Sequence, residues 1–206
     1  MLDTAISPRA PEWHREEITR FWQPGRRLLR ALRRYQTLRK QPGLPARLER
    51  KYWALSHRVW SILCQSELHL NCAIGGGLVM PHPTGIIVHP RARIGVNCLI
   101  FHQVTLAGRV TLGGHVDIGA GAKLIGPLTV GDHAEIGANA VVTHDVPAGA
   151  VVAGAPAQII GWRTVPPGDA RAAGNGSVVP HHRSGTHAVA SINRGAGAPS
   201  SARTQS

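Results

Sequence analysis

Residues Ile94–Val146 read IGVNCLIFHQVTLAGRVTLGGHVDIGAGAKLIGPLTVGDHAEIGANAVVTHDV. An aliphatic residue recurs here at every sixth position: Ile94, Ile100, Leu106, Leu112, Ile118, Leu124, Val130, Ile136, Val142. Four residues later runs a second column, small or aliphatic throughout: Cys98, Val104, Val110, Val116, Ala122, Leu128, Ala134, Ala140, Val146. Glycine follows the first column at Gly95, Gly113, Gly119, Gly131 and Gly137. A helix of about 3.6 residues per turn cannot hold this period on one face, and a half-buried strand alternates about every 2. Six residues fit one short strand and one corner, so three sides make a triangular coil of about 18 residues, the hexapeptide form of the parallel β-helix. The aliphatic column faces the interior and the small column packs beside it at the corners. Glycine, with no Cβ, eases the bends.

Outward from this stretch, the coil begins near Leu68, with Leu68, Ile74, Met80 and Ile86 as its first register. Ile94 follows Ile86 by eight residues, which predicts a two-residue bulge around His89-Pro90. The coil runs to about Ala148, and Val151–Ile160 reads as a last strand returning across the end. Upstream, residues 1–10 read as frayed. Pro11–Trp22 reads as a short helix anchored by Trp13, Ile18, Phe21 and Trp22, broken at Pro24-Gly25. Arg26–Lys40 reads as a basic amphipathic helix with Leu28, Leu29, Leu32, Tyr35 and Leu38 on one side. Pro45 to about Gln65 follows as a second helix, with Leu48, Tyr52, Leu55, Val59 and Ile62 at helical spacing. Together they form a cap over the open end of the coil, which otherwise exposes unpaired backbone groups. A membrane-surface role for Arg26–Lys40 is the rival reading, set aside because the segment is short and the next helix needs a packing partner. From Trp162 onward aliphatics are few and Gly, Ala, Ser, Pro, Arg and His dominate, the composition of a disordered tail. The expected organisation is therefore a helical region at 1–66, a β-helix domain at 67–162 and a disordered tail at 163–206.

The formal net charge of +12 is unevenly placed. Residues 1–65 hold 14 Lys+Arg against 5 Asp+Glu, residues 66–161 hold 4 against 5, and residues 162–206 hold 5 against 1. A near-neutral coil argues against a nucleic-acid-binding surface. No apolar run reaches membrane-spanning length and no signal peptide precedes the helices, so no membrane partner is expected. Three cysteines, Cys64, Cys72 and Cys98, form no metal or redox motif; their odd number fits a reducing, cytoplasmic setting.

The position two after the aliphatic one carries the candidate chemistry. Counting three repeats per coil and adding the bulge, His82, His102, Ala120 and Ala138 fall in one vertical column, with rungs about 4.8 Å apart. Two imidazoles stand at its lower end, and the small residues above leave a smooth groove where an extended ligand can meet the backbone.

At these residues the sequence resembles the bacterial serine O-acetyltransferases of the hexapeptide-repeat acyltransferase family. Gly75-Gly76-Gly77-Leu78-Val79-Met80-Pro81-His82-Pro83-Thr84-Gly85-Ile86-Ile87-Val88 is similar to that family's histidine motif. Val104-Thr105-Leu106-Ala107-Gly108, Ile118-Gly119-Ala120-Gly121-Ala122-Lys123 and Gly154-Ala155-Pro156-Ala157 match further signatures, within roughly residues 50–162. The resemblance implies a left-handed coil, an exception to the right-handed crossover rule. It also implies a homotrimer or dimer of trimers with active sites between subunits, and acetyl-CoA as co-substrate along the groove. His82 matches the catalytic base, and Gly119, Ala120 and Ala138 match positions whose backbone meets the CoA arm. A hydroxyl is a poor nucleophile until a base takes its proton, and imidazole does so near neutral pH. Corner N–H groups are candidate oxyanion donors.

The chain departs from the family in three places. Pro81 stands where the family carries Asp, and the loop after the Thr-Leu-Gly-Gly motif, with its basic residue and second histidine, is missing after Leu106-Ala107-Gly108. Arg109 is the candidate for the substrate carboxylate, and His102 or His115 for a second imidazole. The family's terminal isoleucine is absent, so no stable complex with cysteine synthase is expected. An acetyltransferase for a sugar or another small hydroxyl or amine is the alternative. A metal-dependent hydratase built on His82, His89, His102 and His115 fits the histidine spacing poorly, and no metal is expected.

Overall fold

In the computed structural model, which describes residues 6–164, the six-residue period becomes a left-handed parallel β-helix. Three parallel sheets form the sides. The first stacks Glu67–Leu68, Ile87–Val88, Thr105–Ala107, Lys123–Ile125 and Val141–Val142. Ala73–Ile74, Arg93–Ile94, Val110–Leu112 and Leu128–Val130 form the second. The third stacks Leu99–Ile100, Asp117–Ile118, Glu135–Ile136 and Ala150–Gly154. Each coil donates to the next, as in Ile87 N to Val104 O (2.9 Å), Thr105 N to Ala122 O (3.0 Å) and Lys123 N to Ala140 O (2.8 Å). Every member of both sequence columns, Ile94 to Val142 and Cys98 to Val146, is buried. Full burial of such a side chain contributes about 1.5–3 kcal/mol, and stacking identical rungs repeats that gain along the prism.

The bulge stands elsewhere than expected. Leu68 pairs with Val88, not Ile86, and Val88 pairs on with Leu106. The two extra residues therefore lie between Met80 and Val88, in the corner that holds His82, and not at His89-Pro90. Ile86 belongs to the second column, beside Val104, and is likewise buried.

Two helices cap the first coil. Helix α1 spans Pro24–Leu38 and helix α2 Leu44–Cys64. Pro24 opens α1 at its first turn, where a missing N–H costs nothing. Leu28, Leu29 and Leu32 of α1 and Cys64 of α2 join the core of the coil. Polar side chains of α1 meet the strand edge: Arg33 donates to the carbonyls of Ile74 and Gly75 (both 2.5 Å), and Gln36 Nε2 to those of Leu70 (3.1 Å) and Cys72 (2.9 Å). Side chains thus satisfy carbonyls that a further coil would otherwise bond.

The N-terminal segment differs from its sequence reading. Only Trp13–Glu16 is helical, as one 3₁₀ turn, and the residues before it are laid along the coil. The amide of the buried Asn97 holds them there. It accepts from Glu12 N (2.8 Å) and donates to Ser7 O (2.7 Å) and Ala10 O (2.8 Å). Glu16 pairs with Arg33 at 2.8 Å and accepts from Leu78 N at 3.1 Å. At the far end the expected single strand is a hairpin, Ala150–Gly154 antiparallel to Ala157–Trp162. Arg163, assigned above to the tail, is held: its N donates to Gly149 O (2.7 Å) and its Nη1 to Asp117 Oδ2 (2.9 Å). The rest of the expected tail, from residue 165 on, lies outside the described residues.

Candidate active site

The corner between the third and first sheets carries the candidate site. Its rungs are set by three matching bonds: Gln103 N to Thr84 O (2.8 Å), Gly121 N to His102 O (2.9 Å) and Asn139 N to Ala120 O (2.8 Å). The backbone column is therefore Thr84, His102, Ala120, Ala138, with Thr84 on the rung expected for His82. Because the two extra residues fall in this corner, His82 sits out in the bulge, exposed between Pro81 and Pro83. Its ring still meets His102: the centroids lie 6.3 Å apart, edge to face. His102 is half-buried, and its Nδ1 is buried with no hydrogen-bond partner among the described residues. The residues after the column, Gly85, Gln103, Gly121 and Asn139, all have positive φ, from 57 to 74°. That conformation turns the chain sharply and leaves the small rungs Ala120 and Ala138 on the ridge. Gly119 is required by packing, since a Cβ there would lie 2.5 Å from Ala138 N.

The other candidates fall elsewhere in the single chain. Arg109 is exposed at the next corner, after Gly108 (φ 78°), and the strands Thr105–Ala107 and Val110–Leu112 join across that corner with no intervening loop. Gly126 packs on the Arg109 carbonyl, which a Cβ would approach to 2.5 Å. His115 lies at the third corner, with its Nδ1 2.8 Å from His133 Nδ1 one coil up. Burial holds His115 below the usual imidazole range; Asp117 opposes this, while Arg163, His133 and Arg15 add to it. This pair was missed in the sequence reading. Its signal was there: two histidines 18 residues apart, each three after an aliphatic position. Among the described residues no group of three or more His, Cys, Asp or Glu side chains is placed to hold a metal ion. His82, His89, His102 and His115 do not converge. A cavity of about 1060 Å³ is lined by residues that include Trp13, Arg33, Cys72, Gly75 and Ile94 and by none of His82, His102 or His115.

Known proteins are similar to this chain in sequence and in fold. The serine acetyltransferase of Mycobacterium tuberculosis is 41% identical over 115 residues, covering 52% of this chain and 50% of that protein. That of Helicobacter pylori is 34% identical over 102 residues, covering 46% and 60%. Among solved structures, a serine acetyltransferase from Brucella abortus superposes with TM-score 0.61 at 30% identity, over 72% of this chain and 64% of that one. A serine acetyltransferase in complex with CoA superposes with TM-score 0.59 at 31% identity, over 68% and 57%. No family model matches the chain. The chain spans about half the length of the curated relatives it matches.

Proposed function

We propose that this chain transfers the acetyl group of acetyl-CoA to the hydroxyl of L-serine, giving O-acetylserine for cysteine synthesis. One observation carries the reading: in a chain similar to serine acetyltransferases, an exposed imidazole and a half-buried one meet at the foot of a ridge of small residues. His82 takes the hydroxyl proton, and the freed oxygen attacks the thioester carbonyl. The C–S bond breaks, and the thiolate leaves with the proton that His82 returns. His102, its Nδ1 unpartnered, assists at the acceptor side. The CoA arm lies along Gly119, Ala120 and Ala138, contacting backbone. Arg109 stands on another corner of its own chain, so it reaches the acceptor carboxylate only from a neighbouring copy. The reading therefore includes a homotrimer, with sites between subunits, working in the cytoplasm. The three cysteines are free and buried, as that compartment permits, and among the described residues no helix is long and apolar enough to cross a membrane.

A second reading, acetyl transfer to a sugar or another small hydroxyl or amine, is favoured by Pro81 and by the direct junction at Gly108. At both places the chain departs from the family pattern. An acceptor panel separates the two: CoA release with L-serine, with amino sugars and with other small alcohols. Serine as the best acceptor supports the first reading, and a sugar preferred over serine supports the second.

A further inference from the structure

The cavity of about 1060 Å³ lies where the end of helix α1 meets the first two rungs of the second sheet. Four cations line it: Arg33 from α1, Arg39 and Lys40 from the turn that follows, and Arg93 from the strand Arg93–Ile94. No Asp or Glu lines it. The excess is local, since residues 66–161 as a whole hold 4 Lys+Arg against 5 Asp+Glu. Arg33 is used up by the fold: it pairs with Glu16, donates to the carbonyls of Ile74 and Gly75, and lies 5.4 Å from the centre of the Trp13 ring. The other three are not. Arg39 donates to Asn71 Oδ1 (2.6 Å), a neutral partner that directs the guanidinium and leaves its charge unmatched. The side chains of Lys40 and Arg93 have no hydrogen bond or ion pair among the described residues.

A helix end explains part of this. Cations beside the last turn of a helix oppose its dipole, which suits Arg39 and Lys40. Arg93 has no such reason. It takes the outward position of its strand, between Ala73 and Thr111, and lines the same cavity from the sheet side. Like charges gathered around one cavity repel, and a bound anion removes that repulsion. The chain's own C-terminal stretch does not supply one, because residues 165–206 carry Arg171, Arg183, Arg194 and Arg203 against Asp169 alone. One carboxylate matches one cation, whereas three unmatched cations suit a ligand with two or more negative charges. Guanidinium forks pair with phosphate oxygens two at a time. Gln36, whose Nε2 is already engaged, adds a free acceptor, and the half-exposed Trp13 an aromatic wall. The volume matches the upper end of small-molecule pockets, about 1000 Å³, so a ligand of nucleotide size fits.

From these observations we infer that the cavity is a second ligand site, for a small phosphorylated molecule bearing at least two negative charges. Such a ligand ties Arg39 and Lys40 of the cap to Arg93 of the coil, and its binding stabilises the junction between them. CoA is itself such a molecule, but the reading above lays it along Gly119, Ala120 and Ala138, none of which lines this cavity. The site stands whether or not serine is the acetyl acceptor.

Calorimetry on the full chain with pyrophosphate, ADP and citrate tests it. Pyrophosphate and ADP should bind, raise the melting temperature and bind more weakly as salt is added. Arg93→Glu and Lys40→Glu should each weaken both by about tenfold or more, the scale of one lost hydrogen bond to a charged group. The ligand-free melting temperature and acetyl-CoA binding should not change. Arg91→Glu alters an exposed cation close in sequence that lies outside the lining, and should leave binding as it is. Binding of neither phosphate probe at millimolar concentration overturns the inference. So does equal weakening by Arg91→Glu, which marks general attraction to a basic surface. Citrate bound as tightly as pyrophosphate removes the preference for phosphate and overturns it too. A parallel loss of acetyl-CoA affinity in Arg93→Glu overturns it by assigning the cavity to the phosphates of CoA.

Discussion

Asn97 has φ 58°, is fully buried, and ties three backbone groups of the N-terminal segment. Asn97→Ala removes the amide, orphans those groups at about 1–3 kcal/mol for each that stays buried, and puts alanine at a positive φ that asparagine tolerates better. The expected result is a lower melting temperature and faster proteolysis near residue 10, with coil spectra retained. His115 and His133 share a single hydrogen bond between Nδ1 atoms, so only one of them can carry a proton there. Burial lowers His115, and burial also lowers His57. The unfolded chain, with ordinary imidazoles near about 6.5, therefore binds more protons than the folded one just below that pH. Stability should be complete above about pH 6.5 and fall as pH drops through the depressed folded values. Thermal denaturation between pH 7.5 and 5 should show this loss, and His115→Asn, which keeps a side chain tolerant of positive φ, should flatten it. An unchanged or rising melting temperature on acidification contradicts the assignment.

At the scale of elements, the prism was legible because its period is unlike that of helix or strand. Ile118→Asp places an unpaired charge among fully buried side chains and should abolish cooperative folding, read as loss of the thermal transition. What misled was a coincidence of spacing. The second column stands four residues after the first, so two extra residues put Ile86 six after Met80 and disguise it as a first-column residue. Only strand pairing separates the two, through Leu68 opposite Val88. The same displacement moved His82 off the rung of His102 without parting their rings, so the candidate pair was legible while its geometry was not. The α2 residues were legible as a helical stripe, but their exposure was not, because period alone does not say what a face meets. The strap at residues 7–12 gave no sequence signal, since its partner, Asn97, lies some 85 residues away.

For the whole molecule, each chain carries the two histidines on one corner of the prism and Arg109 on another. A site using both needs a neighbouring copy, so activity should depend on assembly and fall as protein is diluted below the dissociation range of the oligomer. Light scattering alongside the assay checks this. Pro81→Asp probes the acceptor side: a carboxylate beside His82 can orient the ring, and turnover with serine should rise. The central claim is tested most directly by CoA release from acetyl-CoA and L-serine, comparing the unaltered chain with His82→Ala, with acetyl-CoA binding measured by calorimetry. Loss of about 10²–10⁴ in turnover with binding retained is the predicted result, the usual scale of general-base catalysis. Turnover by His82→Ala equal to that of the unaltered chain would contradict it.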